Sequence, residues 1–150
     1  MSRFILPVRF GLATSGSLIA YFLILSLFGW HTNVFFSLFN GVITGFGIYE
    51  AIKYRKLELG NRFDYREGFT TGLTVGFTAT IIFTIFFAIY STELSPDFLA
   101  ELSAAWFDDY KDFQGIVFFT VAIMGFATTL VLTLTFMQLF KPSYNLKKKP

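Results

Sequence analysis

The chain has 150 residues, no cysteine, a formal net charge of +2 and 22 phenylalanines, and 54% of it is hydrophobic; its mean hydropathy is +0.59. A soluble domain of this size would expose apolar patches larger than soluble monomers carry, so the composition excludes one. The missing cysteines exclude disulfide frameworks, thiolate metal sites and cysteine nucleophiles, and the slight charge argues against a nucleic-acid partner.

The pattern that remains predicts an all-α integral membrane protein, a four-transmembrane-helix bundle forming a single domain over residues 1–150. No Asp, Glu, Lys or Arg occurs between Arg9 and Glu50. That stretch divides at Gly29-Trp30-His31-Thr32-Asn33, a polar break whose Trp30 suits an interfacial belt. Four spans are expected, at about residues 10–28, 34–52, 68–92 and 114–140. Each approaches or exceeds the roughly 20 residues that cross a hydrocarbon core. Each must be helical, because backbone in lipid has to satisfy its own hydrogen bonds. Span 1 reads as uncleaved: its apolar run is too long for a signal peptide, and no Ala-x-Ala site follows it.

Lys and Arg set the direction. Arg3 and Arg9 precede span 1, Lys53, Arg55, Lys56, Arg62 and Arg66 lie between spans 2 and 3, and Lys141, Lys147, Lys148 and Lys149 follow span 4. Only Lys111 lies on the other side. The positive-inside rule therefore puts both termini in the cytoplasm.

The loop from Lys53 to Phe69 is expected to prolong helix 2 through Leu57, break at Gly60-Asn61 and restart, with Asp64 and Glu67 as a capping box for helix 3. Its basic patch (Lys53, Arg55, Lys56, Arg62, Arg66) faces anionic lipid headgroups, each charge worth about 1 kcal/mol there. It is either a docking site for an acidic partner or the plain topology signal of an inside loop.

Helix 3 carries Gly68, Gly72, Gly76, Thr80, Thr84 and Ala88, a small residue at every fourth position. Membrane helices associate where small residues let backbones approach, so this row is read as a packing face, with Gly41 and Gly45 as a second one on helix 2. Steps of four drift about 40° each around the axis, so the glycines meet one neighbour and Thr80, Thr84 and Ala88 another. That neighbour is a helix of the same chain or of another subunit.

Between spans 3 and 4, Ser95-Pro96-Asp97 is a helix start. Leu99, Leu102, Trp106 and Phe113 then mark a short outer amphipathic helix on the membrane surface, anchored by Trp106. The alternative is an acidic connector whose apolar residues cover the bundle end. Asp108, Asp109 and Asp112 could hold a metal, but adjacent carboxylates of this kind ordinarily face water.

No catalytic constellation appears. His31 is the only histidine, and with no cysteine it builds no zinc site. The glycines from Gly41 to Gly47 lack the lysine of a phosphate loop. No cofactor is expected. The polar residues left in or beside the spans, Asn40, Gln138, Tyr49 and Glu50, mark a possible polar path, although Glu50 can pair with Lys53 instead.

The order of parts resembles a bacterial family of small four-span membrane proteins catalogued as domain-of-unknown-function family 4199. A glycine-bearing second helix runs into Tyr49, Lys53, Tyr54 and Arg55. An aromatic-polar segment (Phe63 to Phe69) then leads into a small-residue third helix, and Ser95 to Leu99 follow. The resemblance covers nearly the whole chain. It implies a bacterial inner-membrane protein, brings no catalytic residues, and hints at membrane-associated glycosyltransferases as partners.

Three roles fit. The first is a non-enzymatic bundle acting as an assembly or accessory subunit, as a homo-oligomer or within a larger membrane complex, through its glycine face. The second is a carrier for a small or lipid-linked substrate. The third is a membrane anchor for a cytoplasmic glycosyltransferase.

Overall fold

Gly29 and Gly60 have positive φ, 69° and 53°, a conformation that side-chain-bearing residues avoid, and the chain turns at both. The computed structural model describes residues 3–104 and 113–141. Helix α1 (Ile5–Leu27) is followed by α2 (Val34–Leu59), α3 (Tyr65–Ile89), α4 (Pro96–Ala104) and α5 (Phe113–Phe140). There is no strand among the described residues. Four of the helices are long and apolar enough to cross a membrane, and α4 is too short.

Helix α1 begins at Ile5 rather than near Phe10. Pro7 is accommodated because first-turn N–H groups have no partner inside a helix. At the first break the Trp30 N–H donates to the Leu25 carbonyl at 2.9 Å, and the Trp30 ring stacks on Phe36 at 5.3 Å. The Asn33 side chain then caps α2, accepting from the Phe35 N–H at 2.9 Å, while the Tyr21 hydroxyl ties α1 to α2 by donating to the Phe36 carbonyl at 2.9 Å.

Helix α2 runs on to Leu59 and ends in a 3₁₀ turn over Gly60–Arg62. Asp64 then caps α3, its Oδ1 accepting from the Glu67 N–H at 2.8 Å. Beyond Ile89 the helix widens into a π turn over Tyr90–Leu94, closed by the Ser95 N–H on the Tyr90 carbonyl at 2.9 Å.

Helix α3 is the centre of the bundle and packs against α1, α2 and α5. Glycines set how close it comes. A Cβ built at Gly72 would lie 2.6 Å from Thr133, one at Gly68 would lie 2.6 Å from Met137, and one at Gly76 would overlap Thr129. In the same interface Gly125 of α5 receives Thr80 of α3. Partners move four residues along α3 and four back along α5, the register of an antiparallel pair. Two further crossings repeat the chemistry: Gly11 of α1 faces Thr78 of α3, and Gly47 of α2 faces Thr14 of α1. Small-to-threonine contacts of this kind give lipid-immersed helices the close approach that leucine cannot, since leucine is as comfortable against acyl chains as against protein.

Two buried clusters fill the spaces left. Ile48, Ala51, Ile52, Val75 and Met137 form one toward the end that carries residues 3 and 141. At the other end Phe22, Phe87, Phe98 and Leu99 form the second. Helix α5 lies outermost: in its most apolar window 6% of residues are buried, against 33% in each of the other three long helices. Phe119, Met124, Val131 and Leu139 are among its exposed side chains.

Candidate ligand cavity

Helices α2 and α5 touch in one half of the bundle. Gly45 touches Leu132 and Phe136 at 3.6 Å, Tyr49 packs on Phe136 and Phe140 at ring distances of 5.6 and 5.4 Å, and the Lys56 ammonium lies 5.5 Å from the Phe140 ring. In the other half the two helices line a cavity of about 350 Å³, within the size range of small-molecule sites.

Helix α1 contributes Leu18, Phe22 and Leu25 to its wall, and the α1–α2 turn contributes His31 and Thr32. Val34, Ser37, Asn40, Gly41 and Thr44 come from α2, and Thr80, Phe83, Thr84 and Phe87 from α3. Helix α5 adds Val117, Val121, Met124, Gly125 and Thr128, and Phe98 of α4 closes the end. The wall thus extends from the α1–α2 turn to the middle of α5. It holds no Asp, Glu, Lys or Arg among the described residues.

Three wall residues carry a buried polar atom that no group among the described residues satisfies: Nδ1 of His31, Oδ1 of Asn40 and Oγ1 of Thr84. Helical threonines ordinarily bond the preceding turn, as Thr74, Thr120 and Thr135 do on the Thr70, Ile116 and Val131 carbonyls at 2.7–2.8 Å. Thr84 makes no such bond, and its oxygen is left as an orphan at the cavity wall. An unsatisfied buried oxygen costs on the order of 1–3 kcal/mol, so these atoms stand to gain from an occupant.

His31 is stacked on Phe98 at 4.9 Å and meets the edge of Phe22 at 5.8 Å. Burial pulls its imidazole below the ordinary value, and the nearby Glu101 carboxylate partly offsets that. Around it Phe22 is surrounded edge-on by Phe83, Phe86, Phe87, Tyr90 and Phe98 at 5.0–6.3 Å, a rigid aromatic nest.

The residues singled out from the sequence separate. Gly68, Gly72 and Gly76 do face a helix, and it is α5 of the same chain. Thr80 and Thr84 both line the cavity, and Ala88 is half-buried one turn further along. Gly45 is in ordinary contact with α5, but a Cβ at Gly41 would meet nothing within 4 Å, so Gly41 makes no close approach to a described helix of this chain; α2 and α5 have parted at its level. The close approach on α2 belongs to Gly47 instead.

The basic patch is not uniformly exposed. Arg55 is buried between Glu58 and Glu67, at 2.8 and 3.1 Å, and Glu67 also binds Arg3 at 3.0 Å. Its charge is consumed in joining α2 to α3. Lys53 pairs with Glu50 at 3.3 Å, and Lys56, Arg62 and Arg66 are exposed.

Asn40, Tyr49, Glu50 and Gln138 do not form one path. Asn40 lines the cavity, Tyr49 and Glu50 lie near the opposite end of α2, and Gln138 is exposed on α5. Among the described side chains of α4 the buried ones are the consecutive Phe98 and Leu99, which cover the bundle end. Trp106, Asp108, Asp109 and Asp112 lie outside the described residues, as do the side chains of Leu102 and Phe113.

His31, Phe22 and Ser37 were missed as site residues. In the sequence His31 stands out only as a lone histidine beside Trp30 in the turn between two spans.

The sequence profile of a family described as "protein of unknown function (DUF4199)" matches residues 9–141. No curated protein and no solved structure matches the chain.

Proposed function

The chain belongs to the DUF4199 family of proteins of unknown function, which brings no activity with it, and we propose from the geometry that it binds and carries a small membrane-soluble molecule. The supporting observation is the cavity between α2 and α5, bounded by all four long helices and α4, with orphan polar atoms in its wall. The reading assigns binding, and no reaction, to that cavity. It sets the chain in a bacterial inner membrane with the basic end of the bundle toward the cytoplasm. The row of glycines that suggested an assembly role is taken up by α5 of the same chain, which leaves that role without its original support.

The test is native mass spectrometry of the protein released from its own membrane in mild detergent. A bound species should be retained by the wild type and lost from Gly41→Leu, at a wall position where an added Cβ meets nothing within 4 Å and the larger side chain is expected to occupy the cavity. A wild type that carries nothing beyond loosely held bilayer lipid, shared equally by Gly41→Leu, overturns the reading.

A second reading, anchoring of a cytoplasmic glycosyltransferase, keeps one observation: Lys56, Arg62 and Arg66 are exposed beside Leu57, itself 74% exposed. An enzyme that co-purifies with the wild type and is lost on neutralising those three residues would support it.

A further inference from the structure

We propose that the occupant of the cavity is an uncharged single-chain amphiphile, bearing a hydroxyl or amide N–H, that enters sideways from the bilayer between α2 and α5. The inference rests on reading the cavity as a ligand site and adds the chemical class and the route.

Charge comes first. The described wall has no acidic or basic side chain, and burial disfavours the imidazolium of His31. A carboxylate, phosphate or ammonium placed there would lose its hydration and find no counter-charge, which is prohibitive.

Hydrogen bonding comes second. As placed, Asn40 Oδ1 is an acceptor with no donor among the described residues, and a ligand that donates would satisfy it. An ester or ketone cannot do this, whereas a hydroxyl or amide N–H can. A hydroxyl also serves the Thr84 oxygen, which both donates and accepts.

Most of the remaining wall is apolar: Phe22, Phe83, Phe87, Val117 and Val121 leave room for hydrocarbon beside the hydroxyl residues Thr32, Ser37, Thr44, Thr80 and Thr128. The occupant therefore has one polar group and an aliphatic or isoprenoid body.

The route follows from the exposed part of the lining. Ser37 is exposed, Val34 is 70% exposed, Met124 is 64% exposed, and nothing stands opposite Gly41. These residues belong to helices long and apolar enough to cross a membrane, so the mouth opens toward acyl chains. No charged side chain lines the way in among the described residues.

The experiment uses the full chain in phosphatidylcholine vesicles with three diazirine-bearing probes of equal length: hexadecanol, hexadecylsulfonate and hexadecyltrimethylammonium. Hexadecanol should label residues 34–44 and 117–124 saturably. Gly41→Leu should cut that labelling about tenfold, and Asn40→Leu or Thr84→Val roughly fivefold, the loss of one hydrogen bond. The ligand-free unfolding temperature of Thr84→Val should not fall, because its orphan oxygen is removed.

Labelling by either charged probe as strong as that by hexadecanol overturns the uncharged class, while a native species retained in mass spectrometry keeps the carrier reading. Hexadecanol labelling that persists in Gly41→Leu overturns the route. If no probe labels the cavity segments and no native species is retained, both the inference and the reading beneath it fall.

Discussion

A methyl group added at Gly76 would run into the side chain of Thr129, whereas one added at Gly41 would meet nothing. The same chemical change should therefore have opposite consequences at two glycines of similar helical setting. Gly76→Ala is expected to lose about 1–3 kcal/mol, the usual cost of overpacking, and Gly41→Ala to lose nothing. Thermal unfolding in one detergent checks both. Adding Thr129→Ala to Gly76→Ala should recover most of the loss, because it removes the atoms that clash; recovery of nothing would place the strain elsewhere. The spacing of Gly68, Gly72 and Gly76 made a packing face legible in the sequence, since helical geometry alone puts residues four apart on one side. Its partner was equally written there, in Gly125, Thr129, Thr133 and Met137 at the same spacing on α5. Gly41, read together with Gly45, misled for the same reason: spacing tells which residues share a face and not whether a neighbour stands before each of them.

Helices α2 and α3 are joined at one end by Arg55, which reaches Glu58 and Glu67 while Glu67 holds Arg3. Replacing Arg55 with Ala leaves Glu58 without its partner and Glu67 with Arg3 alone, and should cost about 1–3 kcal/mol. Lysine should restore less than half, because a single ammonium cannot span both carboxylates as the guanidinium does; denaturation in detergent reads both variants. At the opposite end the element at issue is α4. Ser95-Pro96-Asp97 announced its start and the helical stripe named Leu99, but Phe98, the other buried side chain described there, lies beside that stripe and not on it. Phe98 carries His31 on its face, with Glu101 of α4 and Tyr90 beyond the end of α3 as the ionisable groups nearby. Burial favours neutral His31 in the folded state, so the folded pKa is depressed and the unfolded chain takes up the proton first. The stabilising contribution is then complete above the ordinary imidazole value of about 6.5 and declines as pH falls through it toward the folded pKa. Unfolding midpoints of wild type and His31→Gln should run parallel above about pH 7 and converge or cross below about pH 6. Parallel curves throughout would mean that His31 does not titrate differently on folding.

At the scale of the whole molecule, an even number of long helices brings the two chain ends to one end of the bundle. The contacts agree, for Arg3 binds Glu67 at the start of α3 and Phe140 lies against Tyr49 and Lys56 of α2. Fold class was the most legible feature of the chain because hydrophobic length is a property of composition. The cavity was the least legible, because it arises where α2 and α5 diverge and no residue type records a gap. Which side the shared end faces is a question of electrostatics rather than packing. The described Lys and Arg residues, Arg3, Arg9, Lys53, Arg55, Lys56, Arg62, Arg66 and Lys141, lie at or near that end, and a translocating chain retains such residues on the cytoplasmic side. The native chain contains no cysteine, so single cysteines can be introduced without removing any. A membrane-impermeant maleimide should label Thr32→Cys in intact cells, because Thr32 is exposed in the α1–α2 turn, and Asn61→Cys, in the exposed turn between α2 and α3, only after permeabilisation. The reverse pattern would invert the bundle and carry the cavity to the cytoplasmic half of the bilayer. A carrier would then load its amphiphile from the opposite leaflet, so the labelling experiment decides which leaflet supplies the cavity as well as which way the chain points.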